Sequence, residues 1–279
     1  MAPMSFAALT LHQGLIKDLG PVNVDKVCFK SGQGSLRPRN EEFISEKYDL
    51  ALLIEENSKV PVYQRKLKDL QNQYHSVRKT RADGSCFYRG LCFAYLEFLL
   101  GKKQEILRFK HLVVQSKSEV LMAGFQEHLF KHHYETFLSI VELAELDGSI
   151  SSLLKAFNQP CSSDSVVLYV RLVTSAYLRN RTEFYQHFIR EGMTVVDFCA
   201  QNVEQMATEC DHIQIIALTQ ALEIPLQVEY VDKTDNVINH HIFPEGRSPS
   251  VFMLFLEHHF NILYREEVQK EENAESSKH

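Results

Sequence analysis

Apolar residues recur at helical spacing from Pro61 to about position 222. The clearest case is a stripe with intervals of four and three residues, which predicts one amphipathic helix that begins at Pro61. The stripe consists of Tyr63, Leu67, Leu70, Tyr74 and Val77. Further helices are predicted at 86–100, 104–116, 119–122, 126–146, 149–157, 164–179, 181–191, 194–201 and 211–222.

The last part of the chain has a different pattern. The stretches 224–232, 239–245 and 250–264 are rich in Val, Ile, Phe and Tyr and are separated by short polar breaks, so they predict strands. Helices that precede strands in this way are typical of an α+β protein. We therefore expect helical subdomains packed on a small, mainly C-terminal β-sheet.

Both ends of the chain differ from the middle in composition. Residues 30–40 are rich in Gly, Ser, Pro and Arg, which predicts a linker and makes 1–40 a flexible N-terminal extension. Residues 265–279 form a charged, polar C-terminal tail. The single catalytic domain is predicted to span 41–264, and we expect that deletion of 1–40 leaves its activity intact.

Composition excludes several classes of protein. A net charge of −6 over 279 residues argues against nucleic acid as a partner. The six cysteines form no CxxC pair, so neither a zinc ribbon nor a disulfide scaffold is indicated. The N-terminus lacks a basic signal-peptide region, and no stretch of 18 apolar residues is present to span a membrane. We expect a cytoplasmic or nuclear protein with reduced thiols.

Cys86 stands at the start of a predicted helix. Asp83 and Gly84 form a turn signal, and Ser85 is a favourable N-cap, so Cys86 falls in the first helical turn. A helix N-terminus lowers the pKa of a thiol, and the loop can aim backbone N–H groups at an oxyanion. Gly84 would let a substrate carbonyl approach the backbone. The competing interpretation is a buried structural cysteine.

A candidate base lies near the C-terminus. His259 and Asn261 are two residues apart on a predicted strand, so both side chains point to the same face and Asn261 can orient the imidazole. His258 would point the other way, toward solvent. Alone, this pair would favour a satisfied surface histidine. With Cys86 it gives the order Cys…His-x-Asn of papain-like cysteine peptidases.

The stretches "DGSCFYRGLCFAYLE" and "HFNILY" resemble the ovarian-tumour (OTU) deubiquitinases, and specifically their otubain subfamily. The resemblance covers residues 42–264 and implies a papain-like cysteine peptidase fold of the OTU type. It implies Cys86 as nucleophile, His259 as general base and then acid, and Asn261 as the orienting residue. The oxyanion hole is implied to consist of the backbone N–H groups of Asp83, Gly84, Ser85 and Cys86, with Asp83 structuring the loop.

The resemblance also implies an activity and partners. The activity is hydrolysis of the isopeptide bond between the C-terminal glycine of ubiquitin and a lysine of the next ubiquitin, with no metal or cofactor. The implied partners are ubiquitin, polyubiquitin chains and ubiquitinated proteins, and the enzyme is expected to be a monomer. The distal ubiquitin is expected to dock near 184–200 and 224–247. Two departures from the family pattern are Ser85, in place of Asn, and Gly90, in place of Ala.

Two other functions remain open at this stage. One is a non-catalytic protein that binds ubiquitin or a ubiquitin-conjugating enzyme on the same fold. The other is a papain-like protease or transferase that acts on a different substrate.

The remaining candidates are interpreted as structural. His128 and His132 are favoured as surface histidines over a metal pair, and Asp211 is predicted to be an N-cap. The basic run 78–81 is interpreted as a solvated turn, and Cys92 as a core residue.

Overall fold

The computed structural model describes residues 42–234 and 236–265. From Glu42 onward these residues belong to one compact unit. The predicted N-terminal extension, and all of the predicted tail except Arg265, lie outside the described residues.

The helices and strands follow the predicted order, with two short strands and one helix added near the start. The helices are α1 (Leu50–Glu56), α2 (Pro61–Leu70), α3 (Cys86–Leu99), α4 (Lys103–Met122), α5 (Glu127–Leu146), α6 (Ile150–Asn158), α7 (Pro160–Arg179), α8 (Thr182–Tyr185), α9 (Val195–Phe198) and α10 (His212–Ala221). A 3-10 turn, Gln186–Phe188, follows α8, and a π-helical turn, Cys199–Val203, follows α9. The strands are β1 (Tyr48–Asp49), β2 (Ser76–Arg78), β3 (Leu226–Val231), β4 (Asn239–Phe243), β5 (Val251–Leu256) and β6 (His259–Tyr264).

The six strands form one sheet in the order β1-β2-β6-β5-β3-β4. All neighbouring pairs are antiparallel except β3 and β5, which are parallel. Four of the six strands come from the predicted C-terminal region, which agrees with the expected architecture.

Helices cover both faces of the sheet. On one face, α1 and α2 pack on the even-numbered positions of β5, such as Leu254 and Leu256. On the other face, α3 packs on the alternate positions, such as Met253, and α4–α7 and α10 complete the same core cluster. Burial of both faces explains why β5 is a continuous apolar run, VFMLFL, rather than an alternating one.

The predicted helix over 63–77 is too long. The structure ends α2 at Leu70, and Val77 belongs to β2, where it pairs with Leu263 of β6. The polar residues 71–73 form the turn between the two elements. Helix and strand both direct apolar side chains into the same core cluster, so the spacing continues across the turn even though the secondary structure changes.

Other boundaries also differ from the prediction. The stretch 250–264 is two strands, because Glu257 and His258 adopt positive φ angles of 51° and 63° and reverse the chain. The stretches 104–116 and 119–122 form one continuous helix, α4. The segment 50–56, for which no helix was predicted, is α1, and Asp49 caps it by accepting from the Ala51 N–H.

Helix α3 lies at the centre of the fold and carries Cys86 as its first residue. It packs on β6 and β5, and the closest approach is at Gly90, where an added Cβ would lie 2.9 Å from the Met253 Cε methyl. Gly90 therefore has a packing role besides its cost in helix propensity. Among the described residues, none of the helices is long and apolar enough to cross a membrane.

Candidate active site

The Cys86 thiol lies where the start of α3 meets the start of β6. The Asp83–Gly84 turn precedes the helix, with Gly84 at a φ of +71°. Cys86 is 7% exposed, and the ring of Phe87, which directly follows it, packs against the ring of Phe260 with centres 5.1 Å apart. Because Phe260 follows His259 directly in β6, the fold brings the predicted nucleophile next to the strand that carries the predicted base and Asn261.

Thr80 connects His259 and Asn261. Its backbone N–H donates to Asn261 Oδ1 at 3.2 Å, and its Oγ1 lies 3.3 Å from His259 Nε2. The Thr80 hydroxyl donates its only proton to the Phe260 carbonyl, so toward His259 it accepts from Nε2–H. In the neutral imidazole this leaves Nδ1 as the nitrogen that can accept a proton from a thiol. The role of Asn261 as an orienting residue stays a prediction, and in this structure Asn261 contacts Thr80.

The interpretation of 78–81 as a solvated turn is wrong. Because of it, Thr80 was not among the predicted site residues. Arg78 lies in β2 and is buried, and it donates to Glu97 at 2.9 Å. Thr80 is also buried, at 5% exposure. A polar residue that follows a short strand gives no sequence signal of its burial, because that burial depends on the pairing of β2 with the distant strand β6.

Asp83 organises the loop before Cys86. Its Oδ1 accepts from the Ser85 N–H at 2.9 Å, and its Oδ2 accepts from Arg89 at 2.8 Å and from Arg81 at 3.1 Å. Burial by itself would raise the pKa of Asp83, but the guanidinium of Arg89, helped by the Ser85 N–H and Arg81, lowers it below the usual value. Asp83 is therefore ionised and fixed in place.

The four backbone N–H groups predicted for the oxyanion hole are not equivalent. The Asp83 N–H donates to the Arg81 carbonyl at 2.9 Å, and the Ser85 N–H donates to Asp83 Oδ1. Within the described part of the chain, the N–H groups of Gly84 and Cys86 have no hydrogen-bond acceptor. An oxyanion at this loop would find its donors at Gly84 and Cys86.

Ser85 occupies the N-cap position, but its side chain makes no capping hydrogen bond, so the predicted capping role is wrong. Ser85 is 1% exposed, and its hydroxyl accepts instead from the Arg171 guanidinium at 3.3 Å. The Ser85 hydroxyl bonds to Arg171 because that residue is buried directly beside the loop. The local sequence does not reveal this neighbour.

The space beside Gly84 is also occupied. An added Cβ on Gly84 would lie 2.2 Å from the Ala207 carbonyl oxygen, so the backbone after the π-helical turn packs directly on the loop. The expected close approach at Gly84 is present, but the partner in this structure is a protein carbonyl rather than a substrate carbonyl. Ala207 itself has a φ of +61°.

Burial dominates the ionisation of Cys86. It raises the pKa of the thiol to about 11, and the negative charges of Asp83 and Glu209 act in the same direction. The N–H groups of Phe260 and Phe87 lower the pKa but do not outweigh burial. The expected lowering by the helix N-terminus is therefore not seen, because removal of water from a 7% exposed thiol costs the anion more than the helix end supplies.

The structural interpretations of the other candidates agree with the fold. Cys92 is fully buried, and Asp211 caps α10 by accepting from the His212 N–H at 2.7 Å. His128 and His132 are exposed on α5. Across residues 42–234 and 236–265, no cluster of three or more His, Cys, Asp or Glu side chains is arranged to hold a metal ion.

The site and the fold together match a known family. A family model described as Peptidase C65 Otubain matches residues 37–265. The chain belongs to the otubain family. The resemblance found in the sequence is thereby confirmed, as are the OTU-type α+β fold and the class of enzyme, a cysteine-dependent ubiquitin hydrolase.

Individual otubains are similar over most of this chain. Human "Ubiquitin thioesterase OTUB2" is 52% identical over 221 residues, which is 79% of this chain and 94% of that protein. Human "Ubiquitin thioesterase OTUB1" is 44% identical over 224 residues, 80% of this chain and 83% of that protein. A solved structure of h/ceOTUB1 with ubiquitin aldehyde and UBC13~Ub has a TM-score of 0.76 at 25% identity, and the match covers 81% of this chain and 91% of that one.

Proposed function

We propose that this otubain hydrolyses the isopeptide bond at the C-terminal glycine of ubiquitin, with Cys86 as nucleophile, His259 as base and Asn261 as the orienting residue. One observation carries the proposal: Phe87, which follows Cys86 at the start of α3, packs on Phe260, which follows His259 in β6, with ring centres 5.1 Å apart, so the fold holds His259 close to Cys86. The relatives named as ubiquitin thioesterases supply the substrate class.

The geometry supports the following chemistry. His259 takes the thiol proton of Cys86 through Nδ1, and the thiolate attacks the glycine carbonyl of ubiquitin. The N–H groups of Gly84 and Cys86 receive the oxyanion. His259 then returns the proton to the departing lysine amine, leaving a thioester that water hydrolyses with His259 again as base. Because burial raises the pKa of the thiol in the free enzyme to about 11, the thiolate forms only when His259 takes the proton.

The docking surface for the distal ubiquitin is also a proposal. The expected region 184–200 presents two large apolar side chains, Phe184 and Val196, each 49% exposed. Large apolar side chains left in water are typical of a partner-binding surface. The second expected region, 224–247, contains β3 and the outer edge strand β4. We expect Phe184→Ala together with Val196→Ala to raise KM for a ubiquitin substrate and to leave kcat little changed.

A non-catalytic ubiquitin binder is the second candidate. A solved otubain in complex with ubiquitin aldehyde and UBC13~Ub is the observation that favours it, since that assembly includes a conjugate besides the reacting ubiquitin. The intact Cys86, His259 and Asn261 favour hydrolysis, because a binder needs none of them. A papain-like enzyme acting on another substrate would not be inhibited by free ubiquitin, whereas the proposed enzyme would be.

The test is covalent labelling with ubiquitin that carries a C-terminal electrophile. Labelling of the intact protein, its loss in Cys86→Ala and its slowing in His259→Ala are expected. The matched controls are Cys161→Ala and His258→Ala, since both residues are exposed, and both variants should label normally. Non-covalent binding without labelling would favour the binder, and neither binding nor labelling would favour a different substrate.

We further propose a monomer without nucleic-acid partners, in the cytoplasm or nucleus. The charge of −6 supports the absence of nucleic acid, and the five cysteines in the described part of the chain are all free thiols, which suits a reducing compartment. Light scattering of the purified protein and imaging of the tagged chain in cells would test these points.

A further inference from the structure

Arg171 on α7 is a completely buried guanidinium beside the active loop. It donates to the carbonyl oxygens of Val203 at 2.9 Å, Gly84 at 2.8 Å and Thr208 at 2.7 Å, besides its 3.3 Å contact with Ser85 Oγ. Its guanidinium carbon also lies 4.2 Å from the centre of the Tyr88 ring. These hydrogen bonds reach two segments only, the loop before Cys86 and the backbone 203–208.

The environment of Arg171 is unusual for a residue that only stabilises the fold. All the hydrogen-bond acceptors that the described residues offer it are neutral, and burial lowers its pKa below the ordinary value. Burying a charge without a carboxylate beside it is costly, and well-packed apolar residues often serve stability better. What the guanidinium provides here is several N–H donors held in one rigid plane.

The contact with Gly84 fixes one peptide unit from both ends. The Gly84 carbonyl accepts from Arg171, and the N–H of the same peptide, on Ser85, donates to Asp83. The C=O and N–H of a trans peptide point in opposite directions, so these two bonds determine the orientation of its plane. The N–H groups of Gly84 and Cys86, which have no acceptor in the described structure, lie on either side of this peptide.

Arg171 also holds the backbone that packs on the loop. Its bonds to Val203 and Thr208 bracket Ala207, whose carbonyl lies against Gly84. The loop is therefore supported by the guanidinium directly and by a segment that the same guanidinium fixes.

We propose that Arg171 is a positioning residue for the hydrolysis: by orienting the Gly84–Ser85 peptide it aims the N–H groups of Gly84 and Cys86 at the oxyanion. This assignment rests on the proposed function. It predicts that loss of the planar guanidinium weakens steps in which negative charge develops on oxygen. Steps in which the Cys86 sulfur reacts without an oxyanion should be affected far less.

Two ubiquitin probes separate these steps. With ubiquitin that carries a C-terminal aldehyde, the Cys86 sulfur bonds to the carbonyl carbon, the C=O π-bond opens and the thiol proton passes to His259. The tetrahedral product then places its negative oxygen at the oxyanion site. Ubiquitin with a C-terminal bromoethyl amide reacts by displacement: a carbon–sulfur bond forms, bromide leaves, the thiol proton passes to His259, and no oxyanion appears. Both probes need the same ubiquitin surface and the same nucleophile.

The variant is Arg171→Lys, which keeps the charge but cannot reach all the carbonyls. The matched control is Arg78→Lys, since Arg78 is equally buried and bonds to Ser45, Glu97 and Tyr264 rather than to the active loop. Aldehyde affinity and kcat on a ubiquitin amide should fall together in Arg171→Lys by about 10²–10³-fold, the effect of losing an oxyanion donor. KM and the rate of alkylation should stay within about threefold, which is roughly 0.7 kcal/mol at 1.4 kcal/mol per tenfold change.

Several results would overturn the assignment. Equal losses with both probes, which leave their ratio unchanged, would mean that Arg171 only supports the site. No loss with either probe would mean that it does not position the donors. The same ratio change in Arg78→Lys would show that any buried arginine has this effect. If Arg171→Lys does not fold, Arg171→Gln is measured by the same ratio. Failure of the unmodified protein to react with either probe would instead refute the proposed function.

Discussion

Replacement of Gly84 by alanine tests whether the close approach of two backbones defines this active site. Gly84 has a φ of +71°, a region that costs other residues about 1–2 kcal/mol. Its added Cβ would also lie 2.2 Å from the Ala207 carbonyl oxygen and 2.4 Å from the carbonyl carbon. Neither atom can rotate away as a side chain would, so the loop or the 203–208 segment must move.

Gly101 and Gly192 provide matched controls. Their φ angles are +78° and +85°, but an added Cβ at either position would meet no heavy atom within 4 Å. Alanine there introduces the backbone penalty alone, about 1–2 kcal/mol, or roughly 2–4 °C in Tm per kcal/mol for a domain of this size.

We expect both controls to lose that much stability and to keep their kcat. Gly84→Ala should lose more stability than either control, and its kcat on a ubiquitin amide should fall by at least about 100-fold, because the displaced loop carries the proposed oxyanion donors. Urea unfolding followed by circular dichroism gives the free energies, and steady-state hydrolysis gives kcat. A Gly84→Ala protein that matches the controls in both measurements would refute the reasoning.

Four further predictions follow from the site, the core and the chain ends. Because burial raises the pKa of Cys86 to about 11, the rate of its alkylation by iodoacetamide in the free enzyme should keep rising about tenfold per pH unit beyond the ordinary thiol pKa of about 8.5. Mass spectrometry measures this rate, with the exposed Cys161 as internal reference. A plateau near pH 8 would contradict the prediction. The pKa of Asp83 is lower in the folded chain than its usual value of 3.8, so its carboxylate stabilises the fold above pH 3.8 and ceases to do so as the pH falls through the folded pKa. Urea unfolding should therefore show that Asp83→Asn is less stable than the unmodified protein at pH 7. The difference in stability should shrink below pH 3.8. Gly90→Ala gains about 1 kcal/mol of helix propensity, but its Cβ would lie 2.9 Å from the flexible Met253 methyl, so the Tm should change little. A fall in Tm of about 10 °C, which is about 3 kcal/mol or more, would show that the methyl cannot move. Deletion of 1–40 should leave kcat and KM unchanged, and a large loss of activity would place those residues in the catalytic unit.

The site was predictable where the chemistry lies in local sequence. Asp83-Gly84 before an apolar helix places Cys86 at a helix start, and a strand with two-residue alternation places His259 and Asn261 on one face. These signals depend on only a few neighbouring residues, so they do not require knowledge of the rest of the fold.

The residues that support the site were not predictable, because their contacts are with distant parts of the chain. Thr80 contacts β6 across 179–181 positions of sequence, and Arg171 contacts Gly84 across 87. A threonine after a basic run and an arginine on a long helix have no local pattern that marks them as buried. Only the pairing of β2 with β6 and the packing of α7 on the loop give them their partners.

Sequence alone determined the class of fold, the order of most helices and strands, the candidate reactive groups and the family, because each depends on residue types and short-range spacing. Tertiary structure decided how those groups behave. The helix N-terminus that favours a thiolate at Cys86 is outweighed by burial, and two of the four candidate N–H donors are already engaged. Desolvation and hydrogen-bond satisfaction depend on what packs nearby, and that is set by contacts between residues far apart in the chain.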